Sequence, residues 1–172
     1  RIIINYGGSS SSKTISVLQL LTQLAFNKPQ KRFTLIAESV PVIKKTILAD
    51  WRDMVMQGAW QRHRFNKTDM VYTFPNGSTF SFVPADDDSR FHGPRQDYSM
   101  FDGAFNIKKK IFDQVEVRTR RRIFITFNPT SVFWAKDRFD WEDVAVIHST
   151  YKDNPFVEEA VIKTLERRAK TD

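Results

Sequence analysis

The sequence has 172 residues, of which 41% are hydrophobic, enough for one domain with a substantial core. The absence of cysteine excludes disulfides and thiolate metal clusters, and the three scattered histidines show no metal-ligand spacing. Because every apolar run is too short to span a membrane, we expect a soluble, intracellular protein with no membrane partner. Its 27 basic and 20 acidic residues give a net charge of +7, which favours a polyanionic partner such as nucleic acid.

The first part of the chain predicts a β-α-β-α unit. "RIIINY" (1–6) is apolar enough for a buried strand and is followed by a Gly/Ser loop. The apolar residues of "TISVLQLLTQLAF" (14–26) recur at helical spacing, whereas "RFTLIAES" (32–39) has the β-branched and aromatic content of a second strand. "VPVIKKTILADWRDMVMQGAW" (40–60) returns to a helical period after Pro41, which predicts a second helix.

A β-hairpin and an exposed loop are expected next. "DMVYTF" (69–74) and "STFSFV" (78–83) flank Asn76-Gly77, a strong hairpin signal, so we expect a hairpin inserted beside the sheet. "ADDDSRFHGPRQD" (85–97) combines turn residues and mixed charge without an apolar period. It is typical of an exposed loop, and it leads into the strand "YSMFD" (98–102).

The second part of the chain alternates helix and strand. "NIKKKIFDQVEVRTR" (106–120) predicts an amphipathic helix, and "RIFITFNPT" (122–130) predicts a buried strand that ends at Asn128-Pro129. "DVAVIHST" (143–150) predicts another strand, followed by a final helix over residues 154–170. The whole pattern predicts an α/β fold with a mostly parallel sheet.

Residues 7–14, "GGSSSSKT", lie between a predicted strand and a predicted helix, where a phosphate-binding loop must lie. They match G-x-x-x-x-G-K-[ST] except that Ser12 replaces the second glycine. Backbone N–H groups of such a loop bind phosphate at the positive end of a helix, while Lys13 adds a charge and Thr14 a hydroxyl for Mg²⁺. A left-handed backbone at Ser12 would cost about 1–2 kcal/mol, so we expect nucleotide binding at reduced affinity. A Ser-rich turn that only caps the helix is the alternative.

The strand end "YSMFDGAF" (98–105) supplies Asp102. An NTPase of this kind needs an acid at the end of a neighbouring strand to hold Mg²⁺, usually followed by a glutamate that polarises the attacking water. Gly103 stands where that glutamate would be. The alternative is that Asp102 caps the turn into the next helix.

Four segments, in this order, resemble the ATPase domain of the large terminase subunit, the DNA-packaging motor of tailed bacteriophages. They are "INYGGSSSSKT" (4–14), "FHGPRQDYSMFDGAF" (91–105), "VEVRTRRRIFITFNPT" (115–130) and "HSTYKDNPFV" (148–157). The resemblance implies a RecA-like P-loop ATPase of the additional-strand type. It also implies a single ATPase domain over residues 1–172, as the N-terminal part of a longer protein whose nuclease domain is absent from this sequence.

The resemblance further implies roles for individual residues. Thr126 and Asn128 match the segment that senses the γ-phosphate. Arg90 and Arg95 are candidates for the arginine that completes a neighbouring subunit's site, with an ordinary surface charge as the alternative for each. The implied catalytic residues are Lys13, Asp102, Arg90, Arg95 and Asn128; the nucleotide-binding residues are Gly7, Gly8, Ser9, Ser10, Ser11, Ser12, Lys13 and Thr14; the metal ligands are Thr14 and Asp102. Because Gly103 replaces the family's catalytic glutamate, we expect slow turnover. Glu38 could serve instead if the second strand is adjacent to the first.

Cofactors and partners are also implied by the resemblance. They are ATP and Mg²⁺, double-stranded DNA, the small terminase subunit, and further copies of the chain in a homo-oligomeric ring on a procapsid portal in the host cytoplasm. The basic residues could contact DNA phosphates or a neighbouring subunit, or could form an ordinary solvated face. They are Lys108–Lys110, Arg118 and Arg120–Arg122. A catalytically silent nucleotide- or DNA-binding assembly module, a RecA-like helicase-type ATPase and a small-molecule kinase remain as alternatives.

Overall fold

A computed structural model describes residues 1–129 and 133–169 of the chain. The eight strands of its sheet are β1 (Ile2–Gly7), β2 (Arg32–Ala37), β3 (Phe65–Asn66), β4 (Val71–Thr73), β5 (Thr79–Pro84), β6 (Gln96–Asp102), β7 (Thr119–Phe127) and β8 (Val144–Ser149). The α-helices are α1 (Lys13–Asn27), α2 (Val40–Lys45), α3 (Ile47–Asp50), α4 (Lys109–Glu116) and α5 (Glu159–Arg168). A π-helical turn spans Trp51–Val55, and short 3₁₀ turns include Ala104–Asn106 and Tyr151–Asp153. None of the described helices has the length and apolar character needed to cross a membrane.

The strand order identifies the fold class. The order in space is β3-β4-β5-β2-β6-β7-β1-β8. The last six strands in this order, β5, β2, β6, β7, β1 and β8, are mutually parallel. β7 lies between β1, which precedes the Gly/Ser loop, and β6, which ends at Asp102. An extra strand at this place defines the additional-strand type, so the expected α/β, RecA-like fold is confirmed.

The predicted hairpin is present, but it belongs to the main sheet. Tyr72 of β4 pairs with Phe80 of β5, and Gly77 takes the positive φ of +81° that the turn requires. β5 also pairs with β2 in parallel, with Leu35 opposite Phe82. The hairpin therefore extends the sheet.

Two predicted helices have different bounds in the structure. The helix predicted over 106–120 ends at Glu116, because the following residues pair with β6 as the start of β7. Thr119 and Ser99 share a buried hydroxyl hydrogen bond of 2.7 Å there, which satisfies two polar groups that a helix would have left exposed. The final helix begins at Glu159, after a 3₁₀ turn that the side chains of Thr150 and Asp153 cap reciprocally.

The helix predicted over 40–60 is broken into three pieces. Thr46 separates α2 from α3 with φ −116° and ψ −102°, outside the helical region. Its hydroxyl donates to the carbonyl oxygen of Val42 at 2.9 Å, a local bond that competes with regular helix geometry. α3 then continues into the π-helical turn that begins at Trp51.

The sheet is covered on both faces, as the alternation of its side chains requires. In β6, Met100 packs with α1 and the α3 region, whereas Phe101 packs with α4 on the opposite face. Phe124 and Ile125 of β7 divide in the same way. A central sheet buried on both faces gives its strand ends fixed positions relative to one another.

Trp51 attaches the α3 region to α1. Its indole is fully buried, and Nε1 donates to the hydroxyl of Thr22 in α1 at 2.8 Å. Its ring also contacts Tyr72 edge-on, with centroids 5.0 Å apart. This side chain therefore determines where Asp50, the preceding residue, lies relative to the start of α1.

We expect Trp51→Ala to lower the free energy of unfolding by about 3–5 kcal/mol, because it removes a large buried ring and leaves a cavity. Trp141→Ala is the matched control. Trp141 is 46% exposed, and the Arg138 guanidinium lies 4.9 Å from its ring centroid, so its removal should cost only about 1 kcal/mol. Urea denaturation of the three proteins checks this, and equal losses for both variants would contradict the assigned role of Trp51.

Candidate nucleotide site

The Gly/Ser loop connects the end of β1 to the start of α1 in a strained conformation. Ser10 and Ser12 both have left-handed backbones, with φ of 63° and 59°. Each such residue costs about 1–2 kcal/mol relative to a right-handed one. Ser12 makes no side-chain capping bond to α1, so the loop is not a simple serine cap. At Gly7, a Cβ would collide with the carbonyl oxygen of Ser149 in β8, which explains why a glycine stands there.

Lys13 lies folded against this loop. Its Nζ donates to the carbonyl oxygens of Gly7 and Gly8, at 3.0 and 2.7 Å, and to Ser11 Oγ at 2.9 Å. Burial lowers the pKa of Lys13, while the negative charge of Asp102 opposes that shift. The ammonium group is thus held at the loop by acceptors that a phosphate could replace.

Asp102 receives two hydroxyl hydrogen bonds on one carboxylate oxygen. Thr14 Oγ1 donates to Asp102 Oδ1 at 2.6 Å, and Thr126 Oγ1 donates to the same atom at 2.7 Å. The first hydroxyl belongs to α1 and the second to β7, so the carboxylate connects three elements. Asp102 therefore faces the loop and does not merely cap a turn.

The Thr14 and Asp102 pair suits a magnesium ion. Mg²⁺ prefers oxygen ligands and is usually held by one or two carboxylates together with phosphates and water. A hydroxyl and a carboxylate oxygen 2.6 Å apart supply that kind of donor. The described residues contain no cluster of three or more His, Cys, Asp or Glu side chains that could hold a metal by themselves, so a bound phosphate would have to complete the coordination.

Two asparagines hold the loop from the other side. Asn128, which follows β7, donates through Nδ2 to Ser9 Oγ at 3.2 Å. Asn154, after the 3₁₀ turn that follows β8, donates to the carbonyl oxygen of Ser10 at 2.8 Å. No site role was expected for Asn154 from the sequence. Asn154 is followed by proline, as Asn128 is, and this shared Asn-Pro dipeptide could have indicated a site residue.

Glu38 and Gly103 follow two neighbouring strands, β2 and β6, at the same edge of the sheet. β2 pairs with β6 and β5, not with β1, so the adjacency on which the Glu38 alternative depended is wrong. The side chain of Glu38 is exposed and accepts a hydrogen bond from Asn106 Nδ2 at 3.0 Å. Gly103 has a left-handed backbone, with φ 61° and ψ 41°.

Arg90 and Arg95 lie outside this chain's own site. Arg90 forms an exposed ion pair with Asp86, with 2.9 Å between Nε and Oδ1. Arg95 is also exposed, and neither arginine lines the cavity beside the loop.

The loop, Asp102 and Gly103 surround one open cavity of about 580 Å³, a common size for a small-molecule site. Asp50, at the end of α3, forms part of its wall, which the sequence analysis did not foresee. Burial raises the pKa of the Asp50 carboxyl, and the charges of Asp102 and Asp53 raise it further. No motif in the sequence signalled this residue, because only the broken helix brings it to the cavity. The full lining is Ser9–Ile15, Asp50, Asp102, Gly103, Phe105, Asn106, Thr126, Phe127, Asn128 and Asn154.

Comparisons with known proteins show that solved structures of phage terminases share this fold. The structure is similar to that of the large terminase from a thermophilic bacteriophage in complex with ADP, with a TM-score of 0.78, 17% identity and coverage of 96% of this chain and 44% of that one. The same terminase in complex with ATP-γ-S gives a TM-score of 0.77 at 16% identity, with coverage of 96% and 43%. The ATPase domain of the Thermus phage P74-26 large terminase gives 0.68 at 17% identity, with coverage of 98% and 82%. No curated protein matches the chain.

This chain spans less than half the length of the thermophilic bacteriophage's terminase chains. The family model described as phage terminase large subunit matches residues 1–172. From this match over the full sequence, we conclude that the chain belongs to the phage terminase large subunit family.

Proposed function

We propose that this chain binds ATP with Mg²⁺ and hydrolyses it, as the ATPase part of a motor that moves double-stranded DNA into a viral procapsid. The observation that carries the proposal is the convergence of Lys13, Thr14 and Asp102 on one cavity, at the carboxyl ends of β1 and β6. Family membership supports it, and so do the structures of the thermophilic bacteriophage's terminase in complex with ADP and with ATP-γ-S.

The phosphate groups would lie on the Gly/Ser loop. Backbone N–H groups of residues 8–13 and the positive end of the 15-residue helix α1 attract anions, and no acidic residue in its first turn opposes them. Lys13 Nζ would exchange its carbonyl partners for the β- and γ-phosphate oxygens. Thr14 and Asp102 would hold Mg²⁺, which neutralises charge that develops on the phosphates.

Thr126 and Asn128 would report the state of the γ-phosphate. Thr126 donates to the proposed metal ligand Asp102, and Asn128 contacts the loop through Ser9. Thr126 lies in β7 and Asn128 directly follows it, so a rearrangement at the nucleotide acts on that strand directly. We assign them the role of coupling hydrolysis to movement.

The absence of a carboxylate at Gly103 favours slow hydrolysis. A glutamate at this position usually orients the attacking water, and general-base assistance is typically worth about 10²–10⁴-fold in rate. The same feature favours the second candidate function, a nucleotide-binding assembly module without catalysis. Measured turnover separates the two candidates.

The DNA would contact the edge of the sheet formed by the amino ends of the parallel strands, opposite the nucleotide cavity. Arg32 at the start of β2 and Arg120–Arg122 in β7 meet there around Asp97, which accepts a hydrogen bond from the Arg32 N–H at 3.1 Å and lies 3.5 Å from Arg121 Nε. Within the described residues Arg32, Arg120 and Arg122 form no ion pair, and all three are exposed. Unpaired guanidinium groups on one edge suit the phosphates of a duplex.

The remaining parts of the proposal concern assembly. We place the chain in a homo-oligomeric ring on the procapsid portal, with the small terminase subunit as a further partner. Arg90 or Arg95 would then reach the nucleotide of the adjacent copy, since both are exposed and lie in the loop that leads into β6. An arginine supplied in this way stabilises charge in the transition state.

Lys13→Ala should weaken ATP binding by about 10–100-fold, because a charge-assisted hydrogen bond contributes about 1.5–3 kcal/mol. Titration calorimetry with ATP and Mg²⁺ measures this. Lys44→Ala, an exposed lysine of α2 outside the cavity, is the matched control and should bind ATP as the unmodified protein does. Equal affinities for all three proteins would remove the phosphate-loop assignment.

Gly103→Glu should raise steady-state ATP turnover by at least about tenfold with little change in ATP affinity, because it supplies the missing carboxylate. A Cβ at residue 103 meets no atom of the described residues within 4 Å, although the left-handed backbone adds about 1–2 kcal/mol of strain. Gly103→Gln carries the same strain and no charge, so it is the control. If both variants turn over ATP as slowly as the unmodified protein, the missing carboxylate does not limit the rate.

DNA binding should be independent of sequence and sensitive to salt. Two phosphate contacts already predict a loss of about tenfold in affinity for a fourfold rise in salt. The double variant Arg120→Ala, Arg122→Ala should reduce the slope of log affinity against log salt concentration by the amount expected for about two phosphate contacts. The double variant Lys44→Ala, Lys45→Ala should leave this slope unchanged. Fluorescence anisotropy with duplex DNA measures both, and an affinity that does not respond to salt would exclude electrostatic binding.

A further inference from the structure

Asp50 is a carboxylate that faces the nucleotide cavity without a partner. It ends α3, where its backbone N–H donates to the Thr46 carbonyl at 2.8 Å, and its side chain lies in the cavity wall. Within the part of the chain that the structure describes, its carboxylate accepts no hydrogen bond and forms no ion pair. Its oxygen atoms are therefore available to a molecule in the cavity.

The other acids near the site are unsuited to activate water. Asp102 Oδ1 already accepts bonds from Thr14 and Thr126 and is committed to the metal side of the cavity. Glu38 is exposed, bonds to Asn106 and does not line the cavity. Asp50 and Asp102 are the two acidic residues among the described lining residues.

The surroundings of Asp50 favour proton transfer. Partial burial raises the pKa of its carboxyl, and the nearby negative charges of Asp102 and Asp53 add to the rise. A carboxylate with a raised pKa is a stronger base than an ordinary aspartate and takes a proton from water more readily.

The burial of the neighbouring Trp51 holds Asp50 in place. The next residue, Trp51, is fully buried and bonds to Thr22 of α1. α1 begins with Lys13 and Thr14, the residues assigned to phosphate and metal. Asp50 is thus tied to the same helix that positions the nucleotide, which gives the fixed geometry that a general base needs.

We propose that Asp50 is the general base of ATP hydrolysis in this chain. It takes the role that a glutamate at position 103 would otherwise have. The inference rests on the proposed ATPase function. A water oxygen forms a bond to the γ-phosphorus while the bond from that phosphorus to the β-γ bridging oxygen breaks. Asp50 accepts the proton of the water and returns it to the products, ADP and inorganic phosphate.

Asp50→Asn tests the assignment in the protein with Mg²⁺ and duplex DNA. The turnover number should fall at least about 100-fold, with ATP-γ-S affinity changed by less than about threefold. Asp69→Asn, at an exposed residue that accepts a hydrogen bond from Asn66 and lies outside the cavity, is the control and should keep its turnover. Asp50→Ser provides a second substitution if the asparagine variant unfolds on heating earlier than the control.

Two results would overturn the proposal, and they differ in what they say about the ATPase function. Turnover within about threefold of the unmodified protein, or a loss of ATP-γ-S affinity that matches the loss of turnover, would overturn the role of Asp50 as the base. Absence of hydrolysis in the unmodified protein, despite ATP-γ-S binding, would overturn the ATPase function itself and the base with it. The two failures are therefore distinguishable.

A double substitution separates chemistry from structure. In the Gly103→Glu background a new carboxylate can activate water, so adding Asp50→Asn should cost less than about tenfold. If Asp50 only supported the fold of the cavity wall, its substitution would lower turnover equally in both backgrounds. That result would contradict the proposal.

Discussion

The geometry of the site depends on a single carboxylate oxygen. Asp102 Oδ1 accepts hydroxyl bonds from Thr14 at the start of α1 and from Thr126 in β7. Asp102 itself ends β6, so this atom links the helix that follows the phosphate loop to two adjacent strands of the sheet. Charge-assisted bonds of this kind are among the stronger ones in proteins. The other site residues take their positions relative to this junction.

The loop itself stores strain next to that junction. Ser10 and Ser12 have left-handed backbones that glycine would adopt without cost, and Lys13 bonds to loop carbonyls. Strained residues persist only where the surroundings hold them, and here Asn128 and Asn154 bond to the loop from two different segments. These two bonds connect the loop to the segments that follow β7 and β8.

Much of this arrangement could be predicted from the sequence, because its signals are local. The "GGSSSSKT" loop between a strand and a helix, the strand ending at Asp102 and the Asn76-Gly77 turn each identify themselves within a few residues. The hydroxyl of Thr126 and the amide of Asn128 were expected at the site from family resemblance, and both contact other site residues.

The errors arose where tertiary contacts outweigh local pattern. Thr119 has helix-forming neighbours, but its hydroxyl pairs with Ser99 across the sheet, so the segment joins β7. Asp50 reached the cavity only because Thr46 breaks the helical period and Trp51 is buried against α1. The position of Glu38 depended on strand order, which periodicity does not contain.

β7 runs from the edge of the sheet with the proposed DNA contacts to the edge with the nucleotide cavity. It carries Arg120–Arg122 at one end and Thr126 near the other, and it pairs with β6 on one side and β1 on the other. From Arg122 to Thr126 is four residues, or about 13 Å of extended chain. From Ile123 to Thr126 the backbone of β7 pairs with strands on both sides and has little capacity to stretch. A displacement of Thr126 would therefore be passed along this segment to Ile123, the residue next to Arg122.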